Sequence, residues 1–160
     1  MKSFFFCLFL WSCSFNAPAQ HYDQYCNSLL PFCIDIPGNF TRRGETETGS
    51  GQYFTAKDGS KLLVYGAHNA LNQTLKQRFE AEQAGLTNDS AVINTTQTPT
   101  IDKAEMQENS YTILYHNQSL SALIYRKLEN NLWKSLELHY PTAKAKEYEE
   151  KAKRMIGSFR

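Results

Sequence analysis

The chain reads as an α+β domain, an antiparallel β-sheet covered by helices. Three patterns carry that reading: an alternating hairpin over residues 52–66, a meander over 111–140, and an amphipathic helix that ends the chain. Strands joined by short turns pair antiparallel, and the apolar stripe of a helix must be buried against the sheet they form.

The first segment stands apart from that domain. Met1-Lys2-Ser3 supplies one positive charge, and Phe4 to Trp11 is an apolar run of about eight residues, well short of the ~20 that cross a bilayer. Ala17-Pro18-Ala19 follows with the small residues a signal peptidase accepts. Residues 1–19 therefore read as a signal peptide with Gln20 as the mature N-terminus, and the expectation is an exported protein, periplasmic or secreted. The alternative is a lipoprotein anchored through Cys13 of Leu10-Trp11-Ser12-Cys13, against which the bulk of Trp11 argues. Neither reading expects a transmembrane segment in the mature chain.

The full chain of 160 residues has 17 basic and 16 acidic side chains, and residues 1–19 hold one of the lysines and none of the acids. The remainder is formally neutral, which offers no bulk electrostatic case for nucleic acid or for an anionic membrane surface. Of four cysteines, Cys7 and Cys13 lie in the leader, and Cys26 and Cys33 remain. In an oxidising compartment such a pair reads as a disulfide, and the C-x-x-C spacing of a redox site is missing. The bond would tether residues 20–31, polar and aromatic without a clear period, to a single α+β domain over 32–160.

Phe32, Ile34 and Ile36 alternate with Cys33 and Asp35 as a half-buried strand does, and Pro37-Gly38 closes it. Residues 41–50 carry almost nothing apolar and read as a solvated loop or hairpin edge. Gln52 to Thr55 and Lys61 to Gly66 flank the turn signal Asp58-Gly59, a hairpin. Leu71, Leu75, Phe79 and Leu86 share one helical face, which predicts a helix over about 73–84 with Asn72 or Thr74 as its cap. Gly85 would then take the left-handed position after it. Ala91 to Thr98, rich in Val, Ile and Thr, predicts a strand. Tyr111–Tyr115, Leu120–Leu128 and Leu132–Tyr140, separated by polar turns, predict the meander, which Pro141 stops. Ala145, Tyr148, Ala152, Met155 and Phe159 then form a stripe of helical spacing, with the Lys and Glu between them facing water.

Five short segments, FCIDIPGNF (32–40), KDGSKLLVYGAHN (57–69), Ile124-Tyr125-Arg126-Lys127, Leu138-His139-Tyr140-Pro141 and the ending Arg154 to Phe159, resemble in this order small exported bacterial proteins with a Mog1/PsbP-like fold. The resemblance implies an α/β/α sandwich over most of 32–159. It also implies protein binding without catalysis, since Mog1 binds a small GTPase and PsbP a membrane-protein complex. The chain departs from that pattern at Gly49-Ser50-Gly51, where Gly-Asp-Gly is expected, so an ion role at that turn is not carried over.

No catalytic, cofactor-binding or metal residues are predicted. His21, His68, His116 and His139 are scattered without H-x-H or H-E-x-x-H, G-x-S-x-G is absent, and Glu45 and Glu47 lie in a segment that reads as solvated. Tyr111, Tyr115, Tyr125 and Trp133 are the one positive feature: core filling is their default, and the other use is a groove that takes a partner peptide or an apolar ligand. Asn39, Asn72, Asn88, Asn94 and Asn117 each begin an N-x-S/T sequon, read here as ordinary polar turns. The expected function is an exported, non-catalytic domain binding an unknown protein partner. The alternative is a small-ligand binder or hydrolase that uses the aromatic sheet face.

Overall fold

The computed structural model describes residues 20–88 and 99–160. A two-stranded hairpin, β1 (Tyr22–Cys26) and β2 (Cys33–Pro37), opens it. Then come β3 (Phe40–Glu45), β4 (Gly51–Ala56), β5 (Lys61–His68), helix α1 (Leu75–Asn88), β6 (Thr100–Met106), β7 (Ser110–His116), β8 (Leu120–Glu129) and β9 (Leu132–Pro141). A single 3-10 turn, Thr142–Lys144, leads into helix α2 (Ala145–Ser158). Strands β3 to β9 form one antiparallel sheet in the order β3-β4-β5-β9-β8-β7-β6.

Each face of that sheet has its own apolar core. On one face Phe54, Leu62, Val64, Leu123, Tyr125, Leu136, Leu138 and Tyr140 meet the α2 stripe of Tyr148, Ala152 and Met155, together with Phe159. The β1–β2 hairpin closes this side through Tyr25, Ile34 and Ile36, joined by Phe32 just ahead of β2. On the other face Tyr111, Ile113, Tyr115, Ala122, Ile124 and Trp133 meet Leu75, Phe79 and Leu86 of α1. Alternation along each strand assigns the faces, and β8 is buried on both of them from Ser121 to Arg126.

The hairpin, the meander and the C-terminal stripe stand where the sequence places them, and Cys26 and Cys33 form a disulfide between directly opposed residues of β1 and β2. Two expectations are corrected. Residues 22–26, within the lead-in of 20–31, form a strand, because the disulfide and the β2 register supply the pairing that no local period announces. Of the solvated loop or hairpin edge expected over 41–50, the hairpin edge is found as strand β3, whose backbone pairs with β4 although all but Phe40 are exposed. Helix α1 begins later and runs through Gly85 to Asn88, since its last turn is held by Leu86 in the core rather than ended by the glycine. Thr74 is its cap: the Gln77 amide donates to Thr74 Oγ1 at 3.2 Å, and the Thr74 amide donates to Gln77 Oε1 at 2.8 Å. Asn72, the other candidate, instead has φ of 49° in the turn before it. Strand β6 at 100–106 has no counterpart among the expected strands, and the strand expected over 91–98 lies outside the described residues, as do residues 1–19.

Gly51 is required where it stands. A Cβ there would come within 2.4 Å of Tyr65 Cβ and 2.5 Å of the Val64 carbonyl oxygen, so β4 and β5 could not close.

Candidate functional site

The α1 face holds a polar cluster in an otherwise apolar layer. Helical spacing puts Glu82 on the same stripe as Leu75, Phe79 and Leu86, so its carboxylate faces the sheet. There it meets Arg126 from the middle of β8, whose side chain is 4% exposed. Arg126 Nε and Nη2 donate to Glu82 Oε1 at 2.9 and 2.8 Å, and Nη2 also donates to Glu137 Oε1 on β9 at 2.6 Å. Tyr111 donates its hydroxyl to Glu82 Oε2 at 2.8 Å, and Tyr65 donates to Glu137 Oε1 at 3.3 Å. Arg78 of α1 stacks over Trp133, 4.5 Å from the ring centroid.

The electrostatics follow from this packing. Burial works against the Arg126 charge, but the facing Tyr65, Glu82 and Glu137 outweigh it and hold the guanidinium protonated more firmly than usual. Burial pushes Tyr115 up to about 12, and it raises Tyr111 and Tyr65 as well, with Glu82 adding to the Tyr111 shift. His139 moves the other way: burial lowers it, Glu137 partly offsets this, and Lys61 adds to the lowering.

A cleft of about 480 Å³ opens beside the cluster, between α1 and the sheet, and its polar lining is Glu82, Tyr115, Arg126, Glu137 and His139. Its lining residues include no serine, threonine, cysteine or lysine. The arrangement can therefore hold charge and hydrogen-bond donors in fixed positions, with both carboxylates already bound to the guanidinium. Among the described residues no group of three or more His, Cys, Asp and Glu side chains converges as a metal site would.

Helix α1 packs on β6 and β7 and reaches β8 and β9 through Glu82 and Arg78, so that among the described residues nothing of α1 covers β4 or the start of β5 on this face. Tyr53 is 46% exposed there. A second cleft of about 230 Å³, lined by Arg43, Tyr53, Thr55, Lys61 and Leu63, adjoins the first and shares Glu137 and His139 with it.

The four aromatics singled out in the sequence are not brought together. Tyr111, Tyr115 and Trp133 share the α1 face, while Tyr125 lies on the α2 face stacked against Phe159, with ring centroids 6.0 Å apart. All four are buried, at 1%, 5%, 7% and 1% for Tyr111, Tyr115, Tyr125 and Trp133. The exposed aromatic of the sheet is instead Tyr53. Three signals in the sequence mark what the aromatics did not: Glu82 interrupts an apolar helical stripe, and Arg126 and Glu137 sit mid-strand in apolar runs.

A third pocket, of about 470 Å³, lies at the start of α2 and is lined by side chains that pair with one another. Lys144 Nζ donates to Asp58 Oδ2 at 2.7 Å, the Tyr148 hydroxyl donates to the same oxygen at 2.9 Å, and Lys151 pairs with Glu147. Burial alone would raise Asp58, but the bonds from Lys144, Ser60 and Tyr148 hold it well below the usual carboxylate range. The β4–β5 turn is thereby pinned to α2. Lys151, read in the sequence as part of a solvated charged face, is in fact buried, its ammonium over the Tyr148 ring at 4.5 Å.

A seven-stranded antiparallel sheet with a helix on each face defines the molecule as an α/β/α sandwich. Its fold is Mog1/PsbP-like. The chain is similar to the solution structure of cyanobacterial PsbP (CyanoP) from Synechocystis sp. PCC 6803, with a TM-score of 0.69, 14% identity, and coverage of 94% of this chain and 98% of that one. It is also similar to a point mutant of the protein Mog1, with a TM-score of 0.60, 11% identity, and coverage of 88% of this chain and 95% of that one. No family model matches the chain, and no curated protein matches it in sequence.

Proposed function

We propose that the chain is an exported, non-catalytic domain that binds a protein partner on the uncovered half of its sheet, as an envelope accessory, a chaperone or an immunity-type protein. The observation that carries this reading is the open face over β4, β5 and β9, where Tyr53 stands 46% exposed beside an apolar cleft. A half-exposed aromatic beside aliphatic side chains, rimmed by charge, has the anatomy of an interface centre. Export is supported by the leader-like segment 1–19 and by the Cys26–Cys33 disulfide, because such bonds persist in oxidising compartments. A periplasmic or secreted product follows from cleavage after Ala19, and a lipid-anchored one from acylation of Cys13.

The test is affinity capture from an envelope fraction with the tagged protein and with Tyr53→Glu. A partner held by the native protein and lost by a folded Tyr53→Glu is expected. Equal recovery by both would remove this face from the account, and no reproducible partner would sink the binding role.

The larger cleft favours a second reading, a small ligand held against Arg126. Five polar side chains converge there in about 480 Å³, within the usual range of small-molecule sites. A thermal-shift screen of small polar metabolites against the native protein and Tyr115→Phe distinguishes it, a stabilising hit that depends on Tyr115 being the expected result.

A further inference from the structure

We infer that the partner presents a segment with one aromatic or large aliphatic anchor and a carboxylate two residues from it; this rests on the reading that the open sheet face is the docking surface. The strand register lays that face out in rows. Thr55 pairs with Lys61 and Lys61 with His139, while Arg43 reaches into the same row through Nε, which donates to Thr55 Oγ1 at 2.6 Å. In the next row Tyr53 pairs with Leu63 and Leu63 with Glu137. A cationic row thus runs beside an apolar one, two residues away along each strand.

The charges of the two rows differ in whether they are already used. Glu137 is held by Arg126 at 2.6 Å and receives the Tyr65 hydroxyl at 3.3 Å. Arg43 and Lys61 have no carboxylate partner among the described residues. Glu82 and Glu137 share the one Arg126 charge, so Arg43 and Lys61 together leave this face with a positive balance although the chain as a whole has a formal charge of only +1. A carboxylate over Arg43 and Lys61 is complementary to it, and its attraction strengthens as a neighbouring side chain excludes water from the cleft.

Size and spacing define the rest of the segment. The cleft of about 230 Å³ falls below the roughly 300–1,000 Å³ of a small-molecule site, and suits a single large side chain. A segment lying along the strands advances about 7 Å over two residues, which is the distance between the rows. Two cations are too few for nucleic acid, whose binding draws on many phosphate contacts, and a flat face with one cleft favours a peptide anchor over a lipid surface.

The test uses four probes on the purified protein, followed by nuclear magnetic resonance of its backbone amides. They are a short Gly/Ser peptide with a central Phe flanked at two residues by Glu, its Lys-for-Glu twin, its Ala-for-Phe twin, and phosphatidylglycerol vesicles. The Glu–Phe peptide should shift the amides of Tyr53, Lys61 and Leu63 and bind at least about tenfold more tightly than either twin. Arg43→Glu/Lys61→Glu should reverse the preference toward the Lys twin. Equal binding of the Glu and Lys peptides, shifts elsewhere, absence of binding, or vesicle binding that depends on Arg43 and Lys61 each overturn the inference. If Tyr53→Glu still loses its captured partner while the peptides show no charge preference, the docking face stands and only the partner chemistry falls.

Discussion

Arg126 is the residue on which the α1 face depends. Its guanidinium is shared between two carboxylates in a layer otherwise filled by aromatic and aliphatic groups, and removing one member of a buried ion cluster strands the others. Arg126→Met should therefore cost about 3 kcal/mol in urea unfolding, and adding Glu82→Gln and Glu137→Gln to it should restore much of the loss. A cost below about 1 kcal/mol for the single change would show that the cluster is solvated in solution. His139 makes the pH dependence of the same face. Burial holds it below its ordinary value of 6.5, with Glu137 opposing and Lys61 assisting, so the folded protein keeps the imidazole neutral where the unfolded chain takes up a proton. Stability is then full above about pH 6.5 and falls as the pH drops toward the folded value. Urea midpoints measured from about pH 8 to about pH 5 should show this slope, and His139→Gln should flatten it. An unchanged slope in the variant would assign the effect elsewhere. His139 was legible as facing away from Leu138 and Tyr140, because strand alternation alone decides that; its cleft was not, because Glu82 and Tyr115 arrive from other elements.

At the scale of elements, two features are set by chemistry that sequence patterns show only in part. The β1–β2 hairpin is stapled by Cys26–Cys33, and the chain ends beside it, with the Cys33 amide donating to the Arg160 carbonyl at 2.8 Å and the Arg160 amide to the Cys33 carbonyl at 3.1 Å. The hairpin therefore holds the end of α2 as well as its own strands, since the Ser158 hydroxyl also accepts the Asp35 amide at 2.8 Å. Replacing both cysteines by serine should lower stability by about 2.5 kcal/mol, the chain-entropy cost of so short a loop, read as a fall in the urea midpoint against the oxidised protein. No change would mean that backbone pairing holds the hairpin without the bond. The edge strands are the second feature. Both β3 and β6 carry a register shift, at Arg42/Gly44 and at Ile101/Lys103, and both expose charged side chains. A bulge and a charge each discourage pairing with another chain, so the open edges are poor templates for aggregation. These two strands were the hardest to read because a polar, exposed edge lacks the apolar alternation by which strands are recognised.

Taken whole, the sheet is closed by contacts distant in sequence. Its centre pairs β5 with β9, Lys61 with His139 through His68 with Leu132, and α2 covers the core only after β9 is in place. Such non-local pairing costs loop entropy before it gives contacts. A chain stopped at Thr142 should not fold, because it leaves Phe54, Leu62, Leu138 and Tyr140 without Tyr148, Ala152, Met155 and Phe159. Circular dichroism and dye binding should report loss of fixed tertiary structure; native-like cooperative unfolding in the truncated chain would show that α2 is dispensable.

What the sequence by itself determined is whatever is periodic or stapled locally: the Asp58-Gly59 hairpin, the 111–140 meander, the stripe of α2 and the pairing of Cys26 with Cys33. Those signals are local because side chains two, three or four residues apart report which way an element faces. Only the tertiary structure decided that Tyr125 lies across the sheet from Tyr111, Tyr115 and Trp133, that Glu82, Arg126 and Glu137 converge, and that α1 leaves Tyr53 uncovered. The physical reason is strand order: β9 sits between β5 and β8, and a helix too short to span seven strands covers one half of a face and leaves the other open.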